Sequence, residues 1–153
     1  MLHELFEYKN GVLYSKIDRK QSTIKKGDVV GGINSKGYLR TCIACKSYKV
    51  HRLIFMMFYG YMPTEIDHVN GIKTDNRIEN LRKANHSQNQ SNKSKTKRNS
   101  TGKKGITSEY GKWRVRVGIN KKTINVGIFE DLELAELVAT EARSKFHGNF
   151  AKH

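Results

Sequence analysis

In the stretch EIDHVNGIKTDNRIENL, Glu65 to Leu81, a carboxylate and an imidazole stand side by side at Asp67 and His68. Asn80 follows the histidine by twelve positions, and Asn89 by twenty-one. Hydrolysis of a phosphodiester needs an attacking water, a group to take its proton, and positive charge where the leaving oxygen becomes anionic. Imidazole titrates near neutrality, so His68 can take that proton. Carboxylate and amide oxygens suit a hard cation such as magnesium, which keeps its other positions for water and phosphate. The bland reading is polar surface: an Asp-His pair is common in solvated loops, Asn70, Asn76 and Asn80 tolerate left-handed turn geometry, and Asn89 could be an exposed polar group on a helix. Neighbours on a strand point to opposite faces. Asp67 and His68 therefore serve one site only if the strand bends or the substrate wraps its end, which makes the long turn after them a requirement.

The elements that must hold these residues can be read from pattern. Residues 1 to about 50 read as short strands and turns, with Asn10-Gly11 as a hairpin signal. VHRLIFMMFYGY then predicts a short buried helix with Leu53, Ile54, Met57 and Phe58 as its stripe, ending near Gly60 and Pro63. From Glu65 the expectation is a short strand, a long turn, a second strand around Leu81–Ala84, and a helix capped by Asn85 with Gln88 as capping-box partner. QSNKSKTKRNSTGKK is polar, basic and nearly without apolar residues, so it reads as a linker. Beyond it KWRVRVGI alternates, placing Trp113, Val115, Val117 and Ile119 on one face. KTINVGIF places Ile124, Val126 and Ile128 opposite Thr123 and Asn125. A helix follows, capped by Asp131, with Ala135, Val138, Ala139, Ala142 and Phe146 as its apolar stripe and Gly148 as its stop.

Composition narrows the partner. The 153 residues hold 29 Lys and Arg against 14 Asp and Glu, a formal net charge of +15. A balance this positive matches a polyanion, because neutralising phosphates releases condensed counterions. The longest apolar run, LIFMMFYGYM, is too short to span a bilayer. The first ten residues lack the basic-then-apolar order of a signal peptide. The expectation is an intracellular protein, not secreted and not in a membrane, with nucleic acid as its leading partner. Cys42 and Cys45 form half of a zinc-type pair without a second half, so ordinary packing is the preferred reading and zinc is disfavoured.

With VHR upstream, EIDHVNGIKTDNRIENLR followed by SQNQSN resembles the HNH homing endonucleases of phage and intron type, over most of residues 1–95. The resemblance implies a ββα-metal finger at about 64–94 around one divalent ion, magnesium first and manganese second, with no small-molecule cofactor. Carried over by position, Asp67 and Asn89 would be the metal ligands, His68 the general base, and Asn80 the residue that pins the loop holding the histidine. His51 has no firm chemical role in this reading; anchoring the helix and touching phosphate stand as alternatives, structural preferred. Arg52 is a candidate phosphate contact. The chain departs from the family at Lys83 and Asn85, where an aromatic and a threonine are common.

Residues 104–153 resemble the Apetala-two/ethylene-response-factor DNA-binding domain, on the opening Lys-Gly-Ile, GKWRVRV, VGIF and the alanine-rich helix. That implies a three-stranded antiparallel sheet in the major groove, covered behind by one helix. Lys104, Thr107, Lys112, Arg114, Arg116, Thr123 and Asn125 would face double-stranded DNA, arginines reading guanine and lysines touching phosphate. Asn125 stands where the plant domains usually have a tryptophan, and Trp113 reads as core. The linker, residues 96–103, with Lys93, Lys95, Lys97 and Arg98 in and before it, would follow the backbone or the minor groove. The expected whole is an α+β protein: a site-directed, metal-dependent DNA endonuclease of homing type, nicking as a monomer, in a bacterial cytoplasm if phage-encoded. The runner-up is a catalytically silent DNA-binding regulator, and a zinc-stabilised binding module is third.

Overall fold

The computed structural model describes residues 2–19, 22–92 and 101–151. The chain forms two compact units, Met1–Ala84 and Asn85–His153. No helix among the described residues is long and apolar enough to cross a membrane.

The first unit opens with a short helix α1 (Leu2–Leu5) and strands β1 (Phe6–Lys9), β2 (Val12–Ser15) and β3 (Val29–Val30), an antiparallel sheet in that order. Asn10 and Gly11 join β1 to β2 with φ of 45° and 86°, the double left-handed geometry of a two-residue hairpin. Strands β4 (Gly32–Ile33), β5 (Leu39–Ile43) and β6 (Lys46–Lys49) form a second sheet. Its β5–β6 turn, Ala44-Cys45, also takes positive φ. Cys42 and Cys45 are therefore surface thiols on and beside a hairpin, both exposed, and the expected packing role is corrected.

Helix α2 (Val50–Tyr59) follows β6 directly and ends at Gly60, whose φ of 73° lets its N–H reach the Met56 carbonyl. Its burial follows position along the axis more than face. Val50, His51, Leu53, Ile54 and Phe55 are buried, whereas Met56, Phe58 and Tyr59 are exposed where the helix runs out of the core. The expected stripe thus loses Phe58, which instead lies edge-on to Tyr8 at 4.9 Å, and gains Phe55. Strand β7 (Glu65–His68) pairs antiparallel with β8 (Leu81–Ala84), and a 3-10 turn at Ile78–Asn80 leads into β8. Ile66 and Leu81 join Phe6, Leu13, Val30 and the α2 residues in one core.

The second unit begins with α3 (His86–Ser91), closed by the expected capping box: Asn85 Oδ1 accepts from Gln88 N, and Gln88 Oε1 from Asn85 N. Strands β9 (Ile106–Glu109), β10 (Lys112–Ile119) and β11 (Lys122–Phe129) form an antiparallel sheet with β10 central, and α4 (Leu132–His147) packs on one face. Asp131 caps α4 through the Leu134 N–H. The core is Ile106, Val115, Ala135 and Ala139, with Trp113, Val126, Phe129 and Leu132 around it.

Two expectations fail here for physical reasons. The β10–β11 register slips between Val115 and Arg116, so Val115 faces Gly127 and Arg116 faces Asn125. That bulge takes Val126 out of the ladder, shifts the alternation, turns Phe129 inward and leaves Ile128 49% exposed. Ile124 is also exposed, close to the Asn120-Lys121 turn of the hairpin. On α4, Phe146 is exposed and Arg143 is buried in its stead. The inward row continues by fours through Ala135, Ala139 and Arg143, and meets the Lys104 carbonyl, which needs a donor.

Candidate active site

His68 ends β7 and Asn76 sits in the turn that follows; both are buried. His68 Nε2 lies 3.0 Å from the Asn76 side-chain oxygen. An amide oxygen only accepts, so Nε2 carries the proton and Nδ1 is the basic atom of the neutral ring. Burial lowers the His68 pKa, partly opposed by the Asn76 hydrogen bond and the Asp67 charge. A lowered pKa keeps the ring neutral at pH 7, the state a proton acceptor needs.

Asn80 is equally buried and occupied on every side. Its side-chain oxygen accepts from Asn70 N at 3.0 Å, and its amide donates to Asn70 Oδ1 at 3.0 Å and to the Asp75 carbonyl at 2.7 Å. These bonds tie both ends of the 70–75 turn to the start of β8. Asp75 adds a fork of two hydrogen bonds from the Arg77 guanidinium, which holds its carboxyl well below the usual carboxylate range.

Residues distant in sequence brace this turn. The Tyr8 hydroxyl accepts from Ile78 N at 3.0 Å. A Cβ on Gly11 would lie 2.8 Å from Arg77 N, so the β1–β2 hairpin presses backbone to backbone against the turn. Sequence reading missed Gly11, Tyr8 and Asn76 in this capacity. The hairpin signal identified the glycine, but nothing local said what it touches.

His51 packs edge-on against His68, ring centroids 4.9 Å apart, with Tyr38 5.4 Å from the His51 ring. Burial first, then the charges at His68, Lys49 and Arg52, push the His51 pKa down to about 3, so the ring is neutral. Its buried Nδ1 has no hydrogen-bond partner.

Asp67 is 4% exposed and pairs across the ladder with Arg82, whose Nε and Nη2 lie 2.8 and 2.7 Å from one carboxylate oxygen. Asn89 stands on α3, in the second unit. Among the described residues no group of three or more His, Cys, Asp and Glu could hold a metal ion. Magnesium needs only one or two protein oxygens beside its waters and substrate phosphate, so a buried carboxylate and a side-chain amide fit it by donor chemistry. They do not fit zinc, which takes four ligands rich in sulfur and nitrogen.

The other expected contacts divide. Arg52 donates to the Pro63 and Thr64 carbonyls at 2.9 and 3.2 Å, bracing the segment before β7. Lys93, Lys95, Lys97 and Arg98 lie outside the described residues. On the open face of the second sheet, Lys112 pairs with Glu130 at 2.8 Å and Arg114 with Glu109 at 2.6 Å. Arg116 stands beside Thr107, which accepts from it at 3.3 Å, and opposite Asn125. Thr123 is exposed as well. Lys104 departs from that face: its ammonium donates to the Ser91 carbonyl on α3 at 2.7 Å.

Residues 48–91, from β6 to the end of α3, match the family model of the HNH endonucleases. No curated protein and no solved structure matches the chain.

Proposed function

We propose that the chain is a divalent-metal-dependent DNA endonuclease of homing type that nicks its substrate, guided by its C-terminal unit. The observation that carries the reading is His68, buried at a strand end with its proton fixed on Nε2 by Asn76. Nδ1 is then the atom that takes the proton of the attacking water. Asn80 holds the turn that keeps Asn76 in place. Asp67 would hold the metal from the first unit; Asn89, the other candidate ligand, is carried by its position in the motif. When bound, the metal supplies positive charge to the leaving oxygen. The β9–β11 face, with Arg114, Arg116, Thr107, Thr123 and Asn125, would lie against bases in the manner of the ethylene-response-factor domains it resembles.

The test is supercoiled plasmid with magnesium, beside EDTA and His68→Ala controls and a mobility shift on the same samples. A magnesium-dependent nick that vanishes with EDTA and in the variant supports the reading. One observation favours a second reading, a silent DNA-binding regulator: Arg82 already neutralises Asp67. Binding with no cleavage on the protein's selected target would favour that alternative.

A further inference from the structure

The second unit contains a cleft of about 670 Å³ between α3 and the β10–β11 hairpin. It suits a group the size of a nucleotide rather than a lone ion. Its described walls include Lys104, Arg116, Lys121, Lys122 and Arg143, and no Asp or Glu. Cations gathered in one concavity raise a positive potential that an incoming anion relieves. His147, also on the wall, registers that field: its pKa is lowered by burial first and then by Lys104 and Arg143.

One wall residue carries an unmet donor. Arg143 is 6% exposed and is anchored by Nη1 to the Lys104 carbonyl and by Nη2 to Thr140 Oγ1 at 3.1 Å. Its buried Nε–H has no hydrogen-bond partner, and a buried donor left unmet is costly. At the rim, the turn residues Asn120 and Lys121 take φ of 48° and 67°, and Lys121 and Lys122 are exposed.

We propose that this cleft binds phosphodiester groups of a nucleic-acid strand, with the buried Arg143 on its wall and the exposed Lys121 and Lys122 at its rim. It meets the open sheet face at Arg116 and Thr123, which line it, but Lys121, Lys122 and Arg143 lie outside the face assigned to bases, so the cleft positions the backbone and reads no bases. The proposal rests on DNA as the partner, as argued above, and is independent of whether the chain cleaves.

The experiment uses the full chain in EDTA, binding two unrelated duplexes across a salt series. Lys121→Ser/Lys122→Ser is compared with Lys25→Ser/Lys26→Ser, which removes two exposed charges outside the cleft. The cleft pair should lower the slope of log affinity against log salt by about two and weaken both duplexes by the same factor. A drop no larger than the control's overturns the proposal. Both variants change exposed side chains, and an unchanged amide spectrum confirms their fold. In the wild type, duplex should shift the amide signals of Gly118 and Asn120 to Thr123. If orthophosphate shifts them and duplex does not, the site is one for free phosphate and the nucleic-acid assignment fails. Absence of any duplex binding would sink the DNA reading and this proposal together, whereas duplex binding with an unaltered slope sinks this proposal alone.

Discussion

Asn76 meets His68 directly, while Asn80 ties the 70–75 turn that precedes Asn76, and His68 and His51 are the groups whose protonation can be tested. Replacing His68 with Ala should cut magnesium-dependent nicking by about 10²- to 10⁴-fold, while a mobility shift on the same DNA stays within about twofold. Nicking retained in that variant would remove His68 from the chemistry. His51 makes a separate prediction about stability. Its pKa is about 3 in the fold and about 6.5 in an unfolded chain. Above about pH 6.5 both states are neutral and its contribution is fully present. As pH falls, the unfolded chain takes a proton that the fold refuses, and stability drops by about 1.4 kcal/mol per pH unit until about pH 3. His51→Phe keeps a ring against His68 and Tyr38 and removes the titration. Urea unfolding between about pH 6 and pH 4 should therefore show a slope shallower by about 1.4 kcal/mol per unit in the variant. Equal slopes would mean that His51 is protonated in the fold at those pH values.

At the scale of elements, the turn after β7 is held from outside by the β1–β2 hairpin. Gly11 has φ of 86°, and its missing Cβ is the space occupied by Arg77 N. Gly11→Ala adds left-handed strain and a backbone collision, so it should cost about 1–3 kcal/mol by thermal or urea unfolding. Nicking should fall by more than DNA binding, because the displaced turn carries Asn76. If activity per folded molecule were unchanged, the hairpin would be support for the fold alone. Asn85→Ala removes one half of the capping box on α3 and should cost about 1 kcal/mol, read in the same unfolding experiment. A six-residue helix has little stability of its own, so the cap matters more here than on α4.

For the whole molecule, the placement of α3 in the second unit changes what a truncation means. Ser91 meets His147 Nδ1 at 3.0 Å, Lys104 holds the Ser91 carbonyl, and Asn120 N donates to Ser87 at 3.3 Å. Deleting residues 104–153 removes all three supports. The fragment should lose site preference because the proposed reading face is gone, and its cutting of any DNA should also fall because Asn89, the proposed second ligand, rides on α3. Plasmid nicking with mapped cut positions checks both: cutting at the same sites by the fragment would overturn the division of labour. The cleft between α3 and the hairpin arises from the same packing, which is why no linear pattern announced it.

Much of this protein was decided locally. The hairpin at Asn10-Gly11, the capping box at Asn85, the Asp131 cap, the β7 and β8 strands and the alternation of β10 depend on neighbours within a few residues, where propensity and period act directly. The motif from Asp67 to Asn89 was legible for the same reason, since its spacing is written along one continuous stretch. Tertiary structure decided what depends on partners far away in the chain. The β10–β11 bulge turned Ile128 outward, the Lys104 carbonyl drew Arg143 into the α4 stripe, and the end of the core left Phe58 in solvent. Tyr8 became the acceptor for Ile78 N, and Gly11 the neighbour of Arg77, only when packing closed the space between them. A sequence states which residue types are available and at what local period; which atoms meet across the core depends on how well distant surfaces fill the same volume.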